Sequence, residues 1–510
     1  MPSTATLSTT LPRAPASRAR SPLAWLLAAL ALLTVWRVLA ALHAAPPLFF
    51  DEAQYWDWSR HPDWGYFSKP PMVAWLIALS TGLLGHSEPA VRAAAFLLYP
   101  ATAWLIYLVG RRLAGHYPPS SPTARHGPWL AALLFASLPM TAMGTWLITT
   151  DAPLLFFWSA ALLFYLRALA DDRGRDWLAL GLALGLGLLS KYSMALFIPA
   201  ALGHLLASPD RRRLLAAPGP WLAAALALAV LSPNLAWNLQ HDFASFRHTA
   251  EISQLDRALL HPDKLLDFVL AQFAVFGPLA MAALAWLARR PGRLLGEPAL
   301  APLAWFALLP LALFLVQALL ARAFANWAVT AYVAAAPLVA FWLLSRGRRT
   351  WLAAAIAVNL VLGAAAYHWH DLARWSGVEL GRRTDPYSRL LGWPEVGGEV
   401  ARRLAAHPGA RLLTHDRTEY CELAYYAGPR ARPAYYLNPS RAVSHHYALT
   451  ADVAGAPSGE FLLVSDSRRP ETLTVLFAEA RELAPIQVAV YPDLVRHYRT
   501  FLVRDFRGYP

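Results

Sequence analysis

The sequence predicts a polytopic α-helical membrane protein with a small α/β region at its C-terminal end. Three observations predict it. Of 510 residues, 57% are hydrophobic and only 15% charged, against about 25% charged in an average soluble protein, so most of the chain cannot face water. Apolar stretches recur at the length a helix needs to cross a hydrocarbon core, about 20 residues. The formal charge of +13 would suit nucleic acid in a soluble domain. Here the arginines gather in short connections between apolar stretches, as cytoplasmic loops of membrane proteins do, so membrane lipids are expected as partners and nucleic acid is not.

Residues 1–21, rich in Ser, Thr, Pro and Arg, read as a disordered cytoplasmic tail. The first apolar segment is long and lacks a small-residue cleavage site, so it reads as an uncleaved first helix. Eleven spans are expected, at 22–43, 90–110, 128–147, 153–170, 177–190, 192–207, 218–238, 265–288, 299–320, 327–344 and 350–367. With a cytoplasmic N-terminus, the inside loops hold Arg111, Arg112, Arg125, Arg173, Arg175, Arg211, Arg212, Arg213, Arg289, Arg290, Arg293, Arg346, Arg348 and Arg349. The outside loops up to residue 325 hold only Arg60, Lys69, Lys191, Arg247, Arg257, Lys264 and Arg322. Segment 71–84 starts with Pro-Pro, is short for a span, and would invert that asymmetry if counted. It reads as a helix at the outer interface, with Trp75 near the headgroups. An odd number of crossings puts the C-terminal region outside.

The domain reading is therefore a tail over 1–21, a transmembrane domain over 22–370 whose first outer loop is 44–89, and an extracytoplasmic α/β domain over 371–510. In the last, 411–414, 461–464, 486–490 and 500–503 read as strands, and 395–406 and 419–426 as helices. The single cysteine, Cys421, excludes an intramolecular disulfide framework.

Polar groups collect on the outer side. Asp51 and Glu52 follow the first span, where acids at bilayer depth are costly, by roughly 2.5–3.5 kcal/mol on insertion scales. They read either as a helix cap or as a catalytic pair in which one carboxylate, Asp51 by preference, is the general base. Lys69, in Tyr66-Phe67-Ser68-Lys69-Pro70-Pro71, is either a snorkelling anchor or a point charge for a lipid phosphate beside the positive end of the next helix. Asp151, in Thr149-Thr150-Asp151-Ala152-Pro153, either caps its helix or orients substrate. Lys191, between two short apolar segments, is a second cation for phosphate or a sugar carboxylate. In loop 238–264, Arg247 suits an oxyanion clamp for phosphate or carboxylate; His248 there, and Tyr66 in the 66–71 stretch, read as substrate-binding with Asp151. His241, His248 and Glu251 are the candidates for a divalent cation, at a spacing that matches no strong zinc signature. Gly181, Gly185 and Gly187 read as close helix packing. Arg37, inside the first span, either snorkels or pairs with an acid of the site.

Taken together, Asp51-Glu52, the 66–71 stretch, Thr150-Asp151-Ala152-Pro153, Ser190-Lys191 and Phe324-Ala325-Asn326-Trp327 resemble the dolichyl-phosphate-mannose protein mannosyltransferase type of glycosyltransferase (family 39). The resemblance extends to its aminoarabinose-transferase-like relatives and covers roughly residues 22–345. It implies a C-type glycosyltransferase fold, a polyprenyl-phosphate sugar donor, and inversion at the anomeric carbon. By position it matches Asp51 to the catalytic acid and Lys69 to the lysine that contacts the lipid phosphate. Relatives acting on lipid A commonly have Glu before that lysine; this chain has Ser68, which removes a ligand where that Glu helps hold a metal ion. The expected acceptor is lipid A or lipopolysaccharide, another glycolipid, or protein, at the outer face of a bacterial inner membrane. The rival reading, a transporter or flippase of a polyprenyl-linked sugar, predicts inverted repeats and symmetrically broken helices, which the sequence does not display.

Overall fold

The computed structural model describes residues 22–254 and 260–510; the tail 1–21 and Arg257 lie outside the described residues. Seven of the described helices are long and apolar enough to cross a membrane, and two bent pairs bring the number to nine. The protein is a multi-pass membrane protein. The two further segments expected as spans, 177–190 and 192–207, fall in shorter elements, Gly174–Ser190 and the pair Tyr192–Leu196 and Phe197–Leu206. Met72–Leu84 is likewise a short apolar helix.

Expected span 265–288 is not one rod. Pro262–Phe276 and Pro278–Ala288 meet at 120°. Gly277, at φ +86, makes the bend, and a Cβ there would lie 1.9 Å from Asn359 Oδ1. Only glycine meets both demands. The pair Pro122–Ser137 and Pro139–Trp146 bends by 55°. Arg37 fills the gap beside that break, donating to the Ala136 carbonyl at 2.6 Å. It is buried with no acid partner among the described residues, so neither expectation for it holds. The alternative to the backbone contact would be an unsatisfied carbonyl in hydrocarbon, which is expensive.

The helix Val329–Ser345 runs through the middle of the bundle and is almost wholly buried. Its alanines let neighbours approach closely, as small residues do between membrane helices. Gly181 and Gly185 do the same against Pro218–Gln240: added Cβ atoms would lie 2.5 Å from Ala223 O and 2.6 Å from Val230 Cβ.

The C-terminal region carries one five-stranded sheet in the order β2-β1-β3-β5-β4. The strands are β1 (Ala410–Thr414), β2 (Tyr435–Tyr436), β3 (Glu460–Ser465), β4 (Phe477–Tyr491) and β5 (Leu494–Phe506). β1 pairs in parallel with β2 and β3, and its buried apolar run is what a strand covered on both faces requires. β3–β5 and β4–β5 are antiparallel. The strand expected at 486–490 is the last third of β4 and that at 500–503 the middle of β5 in a longer hairpin, and helices Trp393–Ala406 and Arg417–Tyr426 lie where helices are expected.

This region sits on the segment 44–89, between the helices Pro22–Ala44 and Glu88–Ala114. Tyr426 Oη donates to Glu88 at 2.6 Å and accepts from Leu48 N at 2.7 Å, while Tyr425 packs edge-on against Trp56 and donates to the His86 carbonyl. The loop is pinned from its other side by Asn234, which donates to Trp64 O at 2.7 Å, and by Trp237, whose indole donates to Asp63 at 2.7 Å. Trp75 reaches the same loop, donating to Asp63 O.

Candidate active site

Asp51 and Glu52 open the helix Phe50–Ser59. Neighbours on a helix point about 100° apart, and these two have opposite surroundings. Glu52 is 1% exposed. Its Oε1 accepts from Arg92 Nε at 2.9 Å and Ile148 N at 2.9 Å; its Oε2 accepts from Arg92 at 2.7 Å and Phe49 N at 3.0 Å. With two donors on each oxygen, every acceptor position of the carboxylate is taken. The catalytic assignment for Glu52 is corrected accordingly: it ties the start of its helix to Glu88–Ala114 and to the turn after Pro139–Trp146. The Phe49 contact is the reciprocal half of a capping box.

Asp51 is 36% exposed at its side chain and its Oδ1 accepts from Arg417 at 2.6 Å. Oδ2 has no hydrogen-bond partner among the described residues. Arg417 begins the helix Arg417–Tyr426, so the C-terminal region reaches into the site through this side chain. The guanidinium also lies 4.9 Å from the Phe50 ring centroid, a stacking arrangement suited to arginine.

Lys69 ends a tight turn closed by Tyr66 N to Lys69 O and Lys69 N to Tyr66 O, at 3.1 and 3.3 Å. Ser245 Oγ braces the turn by donating to Tyr66 O at 2.7 Å. Lys69 precedes the Met72–Leu84 helix by two prolines, at the positive end of its dipole. Burial pulls its pKa down to about 8, and nearby Lys191 and Arg417 act in the same direction; Asp51 and Asp151 oppose them. Lys69 makes no ion pair among the described residues.

Lys191, at the break after Gly174–Ser190, donates to Asp151 Oδ1 at 2.6 Å, and Asn326 donates to Asp151 Oδ2 at 2.9 Å. Asp151 is thus an ion-pair partner rather than a cap; Thr149 instead serves the backbone, accepting from Asp151 N. His248 packs its ring 5.5 Å from Phe67. Its pKa falls to about 4 through burial first and then Lys69 and Arg417, which keeps it neutral at ordinary pH.

The structure therefore brings Asp51, Lys69, Asp151, Lys191 and His248 together, and adds Asn326 and Arg417. Arg247 is exposed on the helix Ala244–Ser253, without an ion pair among the described residues. Tyr66 is held by packing: it is 2% exposed, stacks on Trp58 at 4.5 Å and 1°, and its hydroxyl is engaged by Trp58 O, His61 O and Asp63 N; it borders the wider cavity described below. His241, His248 and Glu251 do not converge; among the described residues the one grouping with metal-ligand spacing is His415, Glu419 and Asp466. Arg92 had a sequence signal, a lone cation near the start of an apolar helix with a lone acid to match. Arg417 had none, being 366 residues from its partner.

Two hollows flank the site. A groove of about 320 Å³ runs from Lys69 and Lys191 along Leu196, Ile252, Phe314 and Trp327, cationic at one end and apolar along its walls. A wider cavity of about 1000 Å³ opens on the other side of the Phe50–Ser59 helix, between Asp57, Arg60 and His61 and the C-terminal Arg432, His446 and Tyr447. Burial lifts the Asp57 pKa to about 6 and lowers that of His446 to about 3.

The sequence profile of dolichyl-phosphate-mannose-protein mannosyltransferase matches residues 68–237. The lipid A galacturonosyltransferase RgtD of Rhizobium johnstonii is 33% identical over 432 residues, 83% of this chain and 87% of its own length. An undecaprenyl phosphate-alpha-4-amino-4-deoxy-L-arabinose arabinosyl transferase of Sodalis glossinidius is 32% identical over 266 residues, 48% of this chain and 44% of its own. Among solved structures, ArnT from Cupriavidus metallidurans bound to undecaprenyl phosphate superimposes with a TM-score of 0.64 over 94% of this chain and 98% of that one. At 16% identity, that likeness bears on the fold.

Proposed function

The chain belongs to the family of membrane glycosyltransferases of the dolichyl-phosphate-mannose-protein mannosyltransferase type, and from that premise we propose how its outer site works. The protein is an inverting glycosyltransferase that moves a sugar from a polyprenyl-phosphate donor to an envelope glycolipid. By the likeness to RgtD, the acceptor is lipid A and the sugar a uronic acid. One observation carries the mechanism. Asp51, an acid with a free oxygen, is paired with Arg417 and lies within electrostatic reach of Lys69, which with Lys191 heads an apolar groove.

The isoprenoid lies along the groove with its phosphate between Lys69 and Lys191. Three cations against Asp51 and Asp151 leave one net positive charge, which matches a singly charged phosphodiester; exposed Arg247 supplies the further charge a sugar carboxylate needs. The acceptor enters from the wider cavity, where Arg60 and Arg432 suit an acidic glycolipid. Its hydroxyl attacks C1 of the sugar from the face opposite the phosphate. The C1–O bond to phosphate breaks, the hydroxyl proton passes to Asp51 Oδ2, and the lipid phosphate leaves towards Lys69. One displacement inverts the anomeric centre. Phosphate is already a good leaving group, so positioning and charge neutralisation carry most of the catalysis.

Transfer of labelled uronic acid from purified polyprenyl-phosphate donor to lipid A, followed by mass spectrometry of the product, tests this reading. Sugar recovered only on water, or no product with any lipid acceptor, would overturn it.

Lys69→Ala is expected to raise the donor KM at least tenfold with a smaller change in kcat. In the wild type, donor affinity should weaken as pH rises through about 8, because Lys69 then loses the proton that attracts phosphate. A donor KM flat from pH 7 to 9 would remove Lys69 from phosphate binding.

The N-terminus is assigned to the cytoplasm, and the site and the C-terminal region to the periplasmic face of the inner membrane. The arginine asymmetry supports this, and so does the Asp51–Arg417 contact, which needs the first outer loop and the C-terminal region on one side. Cysteine introduced at exposed Arg60 should react with an impermeant maleimide in intact spheroplasts, and cysteine at Arg293 only after lysis. The reverse pattern would invert the topology.

A further inference from the structure

Glu419 stands outside the transfer site, two residues along the helix that Arg417 begins, and is 2% exposed. Its Oε1 accepts from Asp466 N at 2.8 Å, but its Oε2 is buried without a hydrogen-bond partner, and so is Nδ1 of His415. These two atoms face each other at 3.3 Å, poorly aligned for a hydrogen bond, although the carboxylate still favours the protonated imidazole. Asp466 Oδ1 lies 3.9 Å from the other ring nitrogen, Nε2, and one ligand atom from each of the three residues falls within 4.8 Å of the others. A carboxylate oxygen and a ring nitrogen buried face to face are costly unless a proton on the ring or a bound cation joins them.

The location adds a second argument. His415 follows β1 directly and Asp466 follows β3 directly, so the cluster lies beyond the carboxyl ends of two adjacent parallel strands. Open α/β sheets bind ligands at that edge. One imidazole and two carboxylates form a donor set for a first-row divalent ion. Ligand atoms about 2.0–2.1 Å from a tetrahedral Zn²⁺ stand about 3.3–3.4 Å apart, which is the Nδ1–Oε2 separation here. Asp466, 63% exposed at its side chain, leaves the fourth position open to water.

We propose that His415, Glu419 and Asp466 form a structural site for a divalent transition-metal cation, Zn²⁺ by preference. The ion clamps the β1–helix turn that carries Arg417 to Asp51. Its role is to position that arginine, and it takes no part in the transfer step.

The test uses full-length, tag-free protein in detergent, stripped with chelator and titrated with ZnCl₂ alone. Bound zinc is measured by elemental mass spectrometry, and stability by thermal unfolding. Wild type should retain about one zinc per chain and unfold at higher temperature with it. Glu419→Gln and His415→Ala should lose that retention. Asp466→Asn, at an exposed side chain that cannot compromise the fold, should weaken zinc binding at least tenfold. Wild type that retains no zinc, leaving only a shared proton between His415 and Glu419, overturns the proposal. So does an Asp466→Asn variant that binds zinc as wild type does.

Discussion

Asp51→Asn should lower glycosyl transfer at least a hundredfold while leaving the protein folded in the membrane. A positioned general base is worth roughly 10²–10⁴ in rate, and the amide cannot accept the acceptor's proton. The substitution is isosteric, and the amide oxygen can still accept from Arg417, so the loop and the C-terminal region stay docked. The loss should fall on kcat, with donor KM nearly unchanged. Arg417→Ala is the companion experiment. It leaves the base in place but removes the group that orients it, so activity should fall by a smaller factor, roughly tenfold, and Arg417→Lys should restore part of it. An Asp51→Asn enzyme within a few-fold of wild type would move the base elsewhere, and Asp57, whose pKa is lifted to about 6 by burial, would be the next carboxylate to replace.

The largest loss of stability is expected from Arg92→Ala. Arg92 and Glu52 are each 1% exposed, and the arginine also donates to Pro46 O and Pro47 O at 3.0 and 3.2 Å. Removing one member of a buried ion pair typically costs 3–5 kcal/mol because the other charge is left uncompensated. Here the stranded carboxylate sits at the root of the catalytic helix. Folded yield from detergent-solubilised membranes should collapse, and the unfolding temperature of whatever remains should drop. Glu52→Gln is milder, since the amide oxygen can still accept from one of the two backbone N–H groups, which bond different carboxylate oxygens, and it should lose stability and activity together. Adjacent carboxylates therefore separate by phenotype: Asp51 in turnover with normal stability, Glu52 in both. An Arg92→Ala protein as stable as wild type would mean the pair is not the brace described here.

Much of the architecture was legible in the chain. Span-length apolar runs mark the crossing helices because hydrocarbon admits few alternatives to a helix. The strands after 410 stood out because β-branched and aromatic runs of strand length replace the longer apolar periods. The bend at Gly277 was not legible, because a glycine followed by proline inside an apolar run looks like any tolerated interruption; the Asn359 side chain opposite it decides the geometry. The shortness of the Gly174–Ser190 and Phe197–Leu206 elements blurred the span count for a related reason, since length near the lower limit of about 17 residues does not settle whether a helix crosses.

The site divides along the same line. Residue type and the expected side of the membrane were enough to select Asp51, Lys69, Asp151, Lys191 and His248 as candidates, because polar groups next to apolar spans are costly and need a use. They were not enough to tell Asp51 from Glu52, or to see that Tyr66 is packing. By itself, the sequence determined the class, most of the long apolar helices and which polar residues to examine. Only the tertiary structure decided which carboxylate is saturated by Arg92, which one meets Arg417 from the far end of the chain, and where the groove runs. The physical reason is that hydropathy is a property of each segment, whereas pairing of charges depends on contacts between residues up to 366 positions apart.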